Sequence, residues 1–338
     1  MALVLSLLAG AVLTAAAARP RPFDWGLPPG VAPPPVPADN PMSPAKVELG
    51  RRLFYDADLS VNGTMSCATC HEQHRGFTDS NRTRPGVHGD PGRRNIMTLA
   101  GVGYFRVLTW ANPAETDLER QVATPVLGLN PVEMGMAGQE AELARRLGAD
   151  GCYRQMFARA FPEADGRIDL GTVGKALAAF QRTLIAFDTP WDRDPTKLSA
   201  SAQYGEALFR SARLNCQGCH SGPHFTDAAT DPEAFHALPG DVPRADPGLA
   251  EVTGRWADAG RFRTPGLRNV AVSGPYLHDG SAATLPDAIR RHYAPGDRAA
   301  PSANEVADLT AFLESLTDET FLKDPRFALP DTACDRPL

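Results

Sequence analysis

Apolar residues recur at helical spacing along much of this chain. Between positions 168 and 187, Val173, Leu177, Phe180 and Leu184 fall on one stripe, stepping by three and four residues. The same spacing predicts helices over 45–55, 139–161, 284–293 and 302–316, with Ser43 as N-cap of the first. In the 284–293 segment the stripe runs Leu285, Ala288, Ile289, His292, so a histidine shares the apolar face. Period-two alternation is sparse. The pattern therefore predicts a mostly α protein with long loops, the longest a Pro-, Gly- and Asp-rich stretch over 232–260.

Two terminal stretches break the pattern. Residues 1–18 are apolar, end in small residues and precede Arg19-Pro20, which reads as a cleaved secretory signal. Residues 19–40 are proline-rich and read as an extended N-terminal arm. No other segment is apolar enough to span a membrane. The 338 residues suit two domains, and 43% hydrophobic content suffices for two cores. A net charge of −6 with no basic run or stripe gives no sign of nucleic-acid binding.

Cysteine changes the picture most. Cys67-Ala68-Thr69-Cys70-His71 and Cys216-Gln217-Gly218-Cys219-His220 are two C-x-x-C-H motifs, the attachment signature of c-type haem. Two thiols add across the vinyl groups of one rigid macrocycle, and the adjoining imidazole is held beneath the iron. A bare C-x-x-C also suits a redox dithiol or half a zinc site; two copies, each followed at once by His, point to haem. Covalent haem agrees with export to the periplasm. The flanks repeat as well: Gly50 to Phe54 and Phe77-Thr78-Asp79 bracket the first motif, and Gly205 to Phe209 and Phe225-Thr226-Asp227 bracket the second. The expected fold is two cytochrome c-like domains, 41–187 and 188–338, each carrying one haem. Cys152 and Cys334 remain, and the sequence leaves both a disulfide and two separate thiols open.

Taken together, these motifs resemble the bacterial di-haem cytochrome c peroxidase family and its MauG branch over nearly the whole mature chain. Further markers are Arg94-Asn95 with Thr98-Leu99, Leu108 to Pro113, Pro131 to Gly135, Leu267-Arg268-Asn269 and Gly274 to Gly280. The Phe-Asp-Trp arm and Leu108 to Pro113 look most like the methanobactin-associated MbnH-type enzymes. The resemblance implies a peroxide-reacting haem on His71, with Gln121, Pro125 and Glu133 lining its distal side. It implies Trp110 as a relay between the haems, and a calcium ion held by Asn95, Ser273 and Pro275. A carboxylate can both take and deliver the proton that peroxide cleavage moves, which fits Glu133. His88, in a Gly-rich loop, is either a removable cap on the first iron or a surface histidine.

The ligand on the second iron separates the branches of this family. Peroxidases place a methionine there, and the MauG branch a tyrosine. All seven methionines lie at or before Met156, so the second domain has none to offer. Counting from His278 lands on His292; a one-residue insertion near Pro286 brings Tyr293 into place instead. Tyr293 is the expectation, with His292 the alternative. The function implied is a periplasmic oxidase that uses hydrogen peroxide to reach a high-valent di-haem state and oxidises a Trp or Tyr on a partner protein, of which a copper-binding protein is one kind. A di-haem peroxidase fed by a small redox protein is the alternative, and a non-enzymatic electron carrier the third reading.

Overall fold

The computed structural model describes residues 22–239 and 246–337; the expected signal at 1–18 lies outside them. Seven helices of six or more residues organise the described chain: α1 Pro44–Phe54, α2 Glu140–Ala149, α3 Gly151–Ala160, α4 Leu170–Arg182, α5 Ala200–Phe209, α6 Leu285–Arg290 and α7 Ala303–Glu314. Two antiparallel two-stranded ribbons complete it, β1 Phe235–Ala237 with β2 Arg261–Arg263, and β3 Thr332–Ala333 with β4 Arg336–Pro337.

Local chemistry sets the helix ends. Ser43 caps α1 by accepting from the Lys46 N–H, as expected. Asp169 with Thr172, and Ser302 with Glu305, form capping boxes on α4 and α7. The single helix predicted over 139–161 is two. Asp150 is extended, with φ −79° and ψ 119°, and its carboxylate accepts from Cys152 N–H to start α3. The 168–187 helix stops at Arg182, although Leu184 stays fully buried in the turn that follows.

The sequence repeat is a structural repeat. α1 crosses α4, and α5 crosses α7. At each crossing a glycine meets the partner backbone. A Cβ on Gly50 would sit 1.9 Å from the Ala176 carbonyl oxygen, and one on Gly205 2.0 Å from that of Asp308. Such contact lets the helices approach until their aromatic side chains interlock. Phe54 then packs on Phe180 at 5.3 Å between ring centres, and Phe209 on Phe312 at 5.2 Å.

The first core extends beyond the first half of the chain. Phe321, Leu322, Phe327 and Ala333 pack with Phe54, Phe77 and Phe180, so the last segment returns to the N-terminal unit. A disulfide between Cys152 and Cys334 fastens it there, across 182 residues of sequence. The N-terminal arm is extended but docked: Tyr104 donates to the Ala32 carbonyl, Arg182 to that of Pro35, and Asn40 to Glu119.

Candidate active site

Each C-x-x-C-H motif follows its aromatic helix and ends in the same proximal arrangement. His71 Nδ1–H donates to the Phe77 carbonyl at 2.7 Å, and His220 Nδ1–H to that of Phe225 at 3.0 Å. Both phenylalanines hold left-handed backbone, φ +62° and +53°, a conformation that costs an L residue about 1–2 kcal/mol. Fixing Nδ1 as donor leaves Nε2 as the ligating nitrogen. Both rings are partly accessible, yet burial lowers their basicity, His220 to about 4. Each ring, with the thiols beside it, marks the site of one haem, the first and second cleft of the chain. Cys67, Cys70, Cys216 and Cys219 are unpaired thiols on the same two clefts. Two thiols and one free imidazole nitrogen per cleft are the donor set of a c-type haem.

The two regions expected to form the distal sides differ. On the first, Met134 N–H donates to the Pro125 carbonyl at 3.0 Å and Met136 N–H to that of Val126 at 2.9 Å. These bonds join the short helix Ala123–Leu127, which carries Pro125, to the loop that carries Glu133; the helix Leu118–Gln121, which ends in Gln121, directly precedes it. Val87 N–H donates to the Glu133 carbonyl at 2.7 Å from the other side. Glu133 makes no side-chain hydrogen bond or ion pair among the described residues, and burial alone raises its pKa. It is one of the acidic groups whose field, with burial, pushes the Cys70 thiol up to about 12. A cavity of about 400 Å³ opens beside the first motif, lined by Thr64, Met65, Thr69, Asn81, Arg84 and Val87. His88 lies against Gly135, on this same wall.

On the second distal side, the His292 ring centre is 6.3 Å from that of His220. His292 Nδ1–H donates to the Ala288 carbonyl at 2.7 Å, leaving its Nε2 free. It too is accessible but desolvated, with a lowered pKa. Tyr293 also lies at this cleft, with its hydroxyl donating to the Leu214 carbonyl at 3.0 Å beside Cys216.

Between the halves, Trp110 is buried and donates from Nε1 to the Asn95 carbonyl at 2.7 Å, while its own carbonyl accepts from Arg263 N–H at 2.8 Å. Asn95 N–H in turn reaches the His278 carbonyl at 2.7 Å. Trp110 thus sits where a first-half strand of chain meets two second-half segments. Asn95 Nδ2 is occupied by the Asn81 and Arg82 carbonyls. Its Oδ1, and the carbonyls of Ser273 and Pro275, accept no hydrogen bond among the described residues. Nothing in the sequence pattern singles out Arg263, whose side chain is almost wholly buried in this region.

Two C-x-x-C-H units on matching helix pairs, with the desolvated carboxyl of Glu133 beside the first, define a di-haem redox protein. The family described as di-haem cytochrome c peroxidase matches residues 44–198. Cytochrome-c peroxidase IdrP1 of Denitromonas iodatirespirans is 34% identical, covering 95% of this chain and 95% of its own. Methylamine utilization protein MauG of Methylorubrum extorquens is 34% identical, over 84% of this chain and 82% of its own. A crystal structure of a MauG-like protein associated with microbial copper homeostasis superposes with a TM-score of 0.84 at 39% identity, over 91% of this chain and 99% of that one. The chain belongs to the di-haem cytochrome c peroxidase/MauG family and is a peroxide-dependent di-haem oxidoreductase. No helix of the described residues is long and apolar enough to cross a membrane.

Proposed function

We propose that this enzyme is a periplasmic oxidase of the MauG kind, which spends the oxidising power of hydrogen peroxide on a residue of a partner protein. One observation carries the reading: the group facing His220 across the second cleft is His292, and the second half of the chain contains no methionine. Two imidazoles bound at roughly 2 Å on opposite faces of one iron have ring centres about as far apart as the 6.3 Å found here. Paired nitrogen ligands favour the oxidised metal more than a methionine thioether does, which suits a site that stores oxidising equivalents rather than one that admits electrons. The reading replaces Tyr293 with His292 as the ligand, because the Tyr293 hydroxyl is committed to Leu214.

Bound at Cys67, Cys70, His71 and Cys216, Cys219, His220, two haems would supply the redox chemistry, taking two oxidising equivalents from one peroxide. The side chains supply the rest. Glu133, whose pKa burial raises, can as a carboxylate take the proton from the near peroxide oxygen and then return it to the departing one. Gln121 and Pro125 keep that wall in place. Trp110, hydrogen-bonded to both halves, offers an oxidisable indole between the two sites. The free oxygens of Asn95, Ser273 and Pro275 are hard donors suited to calcium, and the ion would tie these segments together. The likeness to a protein associated with copper homeostasis makes a copper-binding protein the first partner to try.

The test is intact mass of candidate partner proteins after treatment with the haem-loaded enzyme and peroxide, set against turnover with a reduced cytochrome. An oxidised partner with negligible cytochrome turnover is expected. Fast cytochrome turnover with unmodified partners returns the enzyme to the peroxidases, as the likeness to IdrP1 favours. The ligand is tested separately: His292→Ala should convert the second haem from low-spin to high-spin, and Tyr293→Phe should leave it low-spin.

A further inference from the structure

Three arginines among the described residues are 5% exposed or less: Arg182, Arg263 and Arg268. Two of them are fully compensated. Arg182 forms a two-pronged pair with Glu119, at 2.5 and 2.8 Å, and Arg268 one with Asp192, at 2.7 and 2.9 Å. Among the described residues, no carboxylate lies within ion-pair distance of Arg263. Its Nη1 donates to the Val107 carbonyl at 2.9 Å, its Nη2 meets the Met97 sulfur at 2.8 Å, and its Nε is buried with no partner. A thioether is a weak acceptor. Burying a guanidinium without a counter-charge is strongly unfavourable, as breaking a buried ion pair is. Desolvation lowers the Arg263 pKa to about 10.

Its surroundings narrow down what compensates it. The backbone of Met97, whose sulfur touches Nη2, bears on the His71 ring. Two residues beyond Arg263, the Pro265 backbone bears on the His220 ring. The Arg263 N–H donates to Trp110. The Arg263 backbone thus joins Trp110, and its guanidinium, over the Phe105 ring at 5.2 Å and against Met97, lies beside segments that reach both proximal histidines. Its unsatisfied edge is Nε with Nη2, the edge by which Arg94 grips Asp246 in this same molecule, at 2.8 and 2.7 Å. That edge fits a planar carboxylate. The nearest protein candidate, Asp227, is held by His236 at 2.6 Å and stands outside ion-pair range.

We propose that Arg263 binds a haem propionate between the two haems, and that its buried positive charge raises the reduction potential of the haem it holds. Each c-type haem brings two carboxylates into this region, so the ligand chemistry is a carboxylate in either case. Which haem provides it is read from the experiment.

The measurement is a spectroelectrochemical titration of both haems in the fully haem-loaded enzyme, together with resonance Raman of the propionate bending bands. Arg263→Met should lower the potential of one haem, because loss of a cation favours the ferric state, and should move that haem's propionate band. A shift in the high-spin signal assigns the carboxylate to the first haem; a shift in the low-spin signal assigns it to the second. Arg263→Lys keeps the charge but loses the planar edge, so the band should move while the potential stays near that of the parent. This variant also carries the test if Arg263→Met does not fold. Unmoved bands in the lysine variant, or parent potentials for both haems in the methionine variant, overturn the proposal and leave Asp227 as the counter-charge.

Discussion

The two halves of this enzyme use one proximal design and two distal ones. Below the irons the match is close. A glycine-mediated helix crossing, an aromatic pair, a C-x-x-C-H motif and a left-handed phenylalanine whose carbonyl fixes the histidine recur in each half. The Thr78 hydroxyl donates to the Ile96 carbonyl, and that of Thr226 to the Thr264 carbonyl. On the opposite sides expected to face the haems the halves diverge: the first presents the desolvated Glu133, the second the imidazole of His292. What holds a haem is common to both units. On the proposed reading, what each haem can do is decided by one side chain on the opposite face.

The sharpest way to break that comparison is to remove the carboxyl. Glu133→Gln keeps shape and hydrogen-bonding capacity but cannot ionise. The reaction with peroxide should slow about 100- to 10,000-fold, the usual contribution of a positioned acid–base group. Stopped-flow absorbance measures it, and the low-spin spectrum of the second haem should not change. Parent-like rates in the variant would take the acid–base role away from Glu133.

The next effect is confined to the first unit. The disulfide between Cys152 and Cys334 closes a loop spanning 182 residues and holds the returning C-terminal segment on the first core. Replacing both cysteines with serine should cost about 2–4 kcal/mol in urea unfolding. Hydrogen exchange should quicken over 321–337 and not around the second haem. Gly50→Ala and Gly205→Ala test whether the repeated crossing is energetically equal in the halves. Each Cβ would meet rigid backbone at 1.9 or 2.0 Å. The crossing should open at a cost of about 1–3 kcal/mol, outweighing the roughly 1 kcal/mol that alanine contributes to a helix. A loss in only one variant would mean that the halves share geometry but not stability.

The shared part of the design was legible in the sequence because it is local. Covalent spacing writes each C-x-x-C-H motif into five residues, and the 3.6-residue period writes the helices around it. The differences are set by distant neighbours. That Cys152 meets Cys334 depends on a tail that folds back onto the other unit. The choice of His292 over Tyr293 turns on whether the Tyr293 hydroxyl finds Leu214, 79 residues earlier. Arg263 reads as surface in a sequence, because most arginines are, and its burial emerges only when Val107, Met97 and Trp110 close around it. The Asp150–Gly151 step does carry a helix-start signal, but it lies inside a long apolar pattern that masks it.

The smallest predicted effect isolates the electrostatic difference between the distal sides. Burial raises the Glu133 pKa above its usual 4.5 in the folded enzyme. As pH climbs past 4.5 the unfolded chain releases this proton while the folded one keeps it. Glu133 therefore contributes stability in full below that value and loses it as pH rises through the folded pKa. The loss is about 1.4 kcal/mol for every pH unit that separates the folded from the unfolded pKa. Glu119, Asp150, Asp192 and Asp246 are held below their ordinary values and act in the opposite sense, losing their contribution as pH falls. Those groups are common to the parent and to Glu133→Gln, so subtracting one unfolding curve from the other removes them. Urea unfolding of both proteins from about pH 4 to about pH 8 should give a difference that declines above the usual glutamate range and then levels. A flat difference would mean that Glu133 is solvated like an ordinary surface carboxylate. The contrast between an acid–base side and a ligand side would then need another origin.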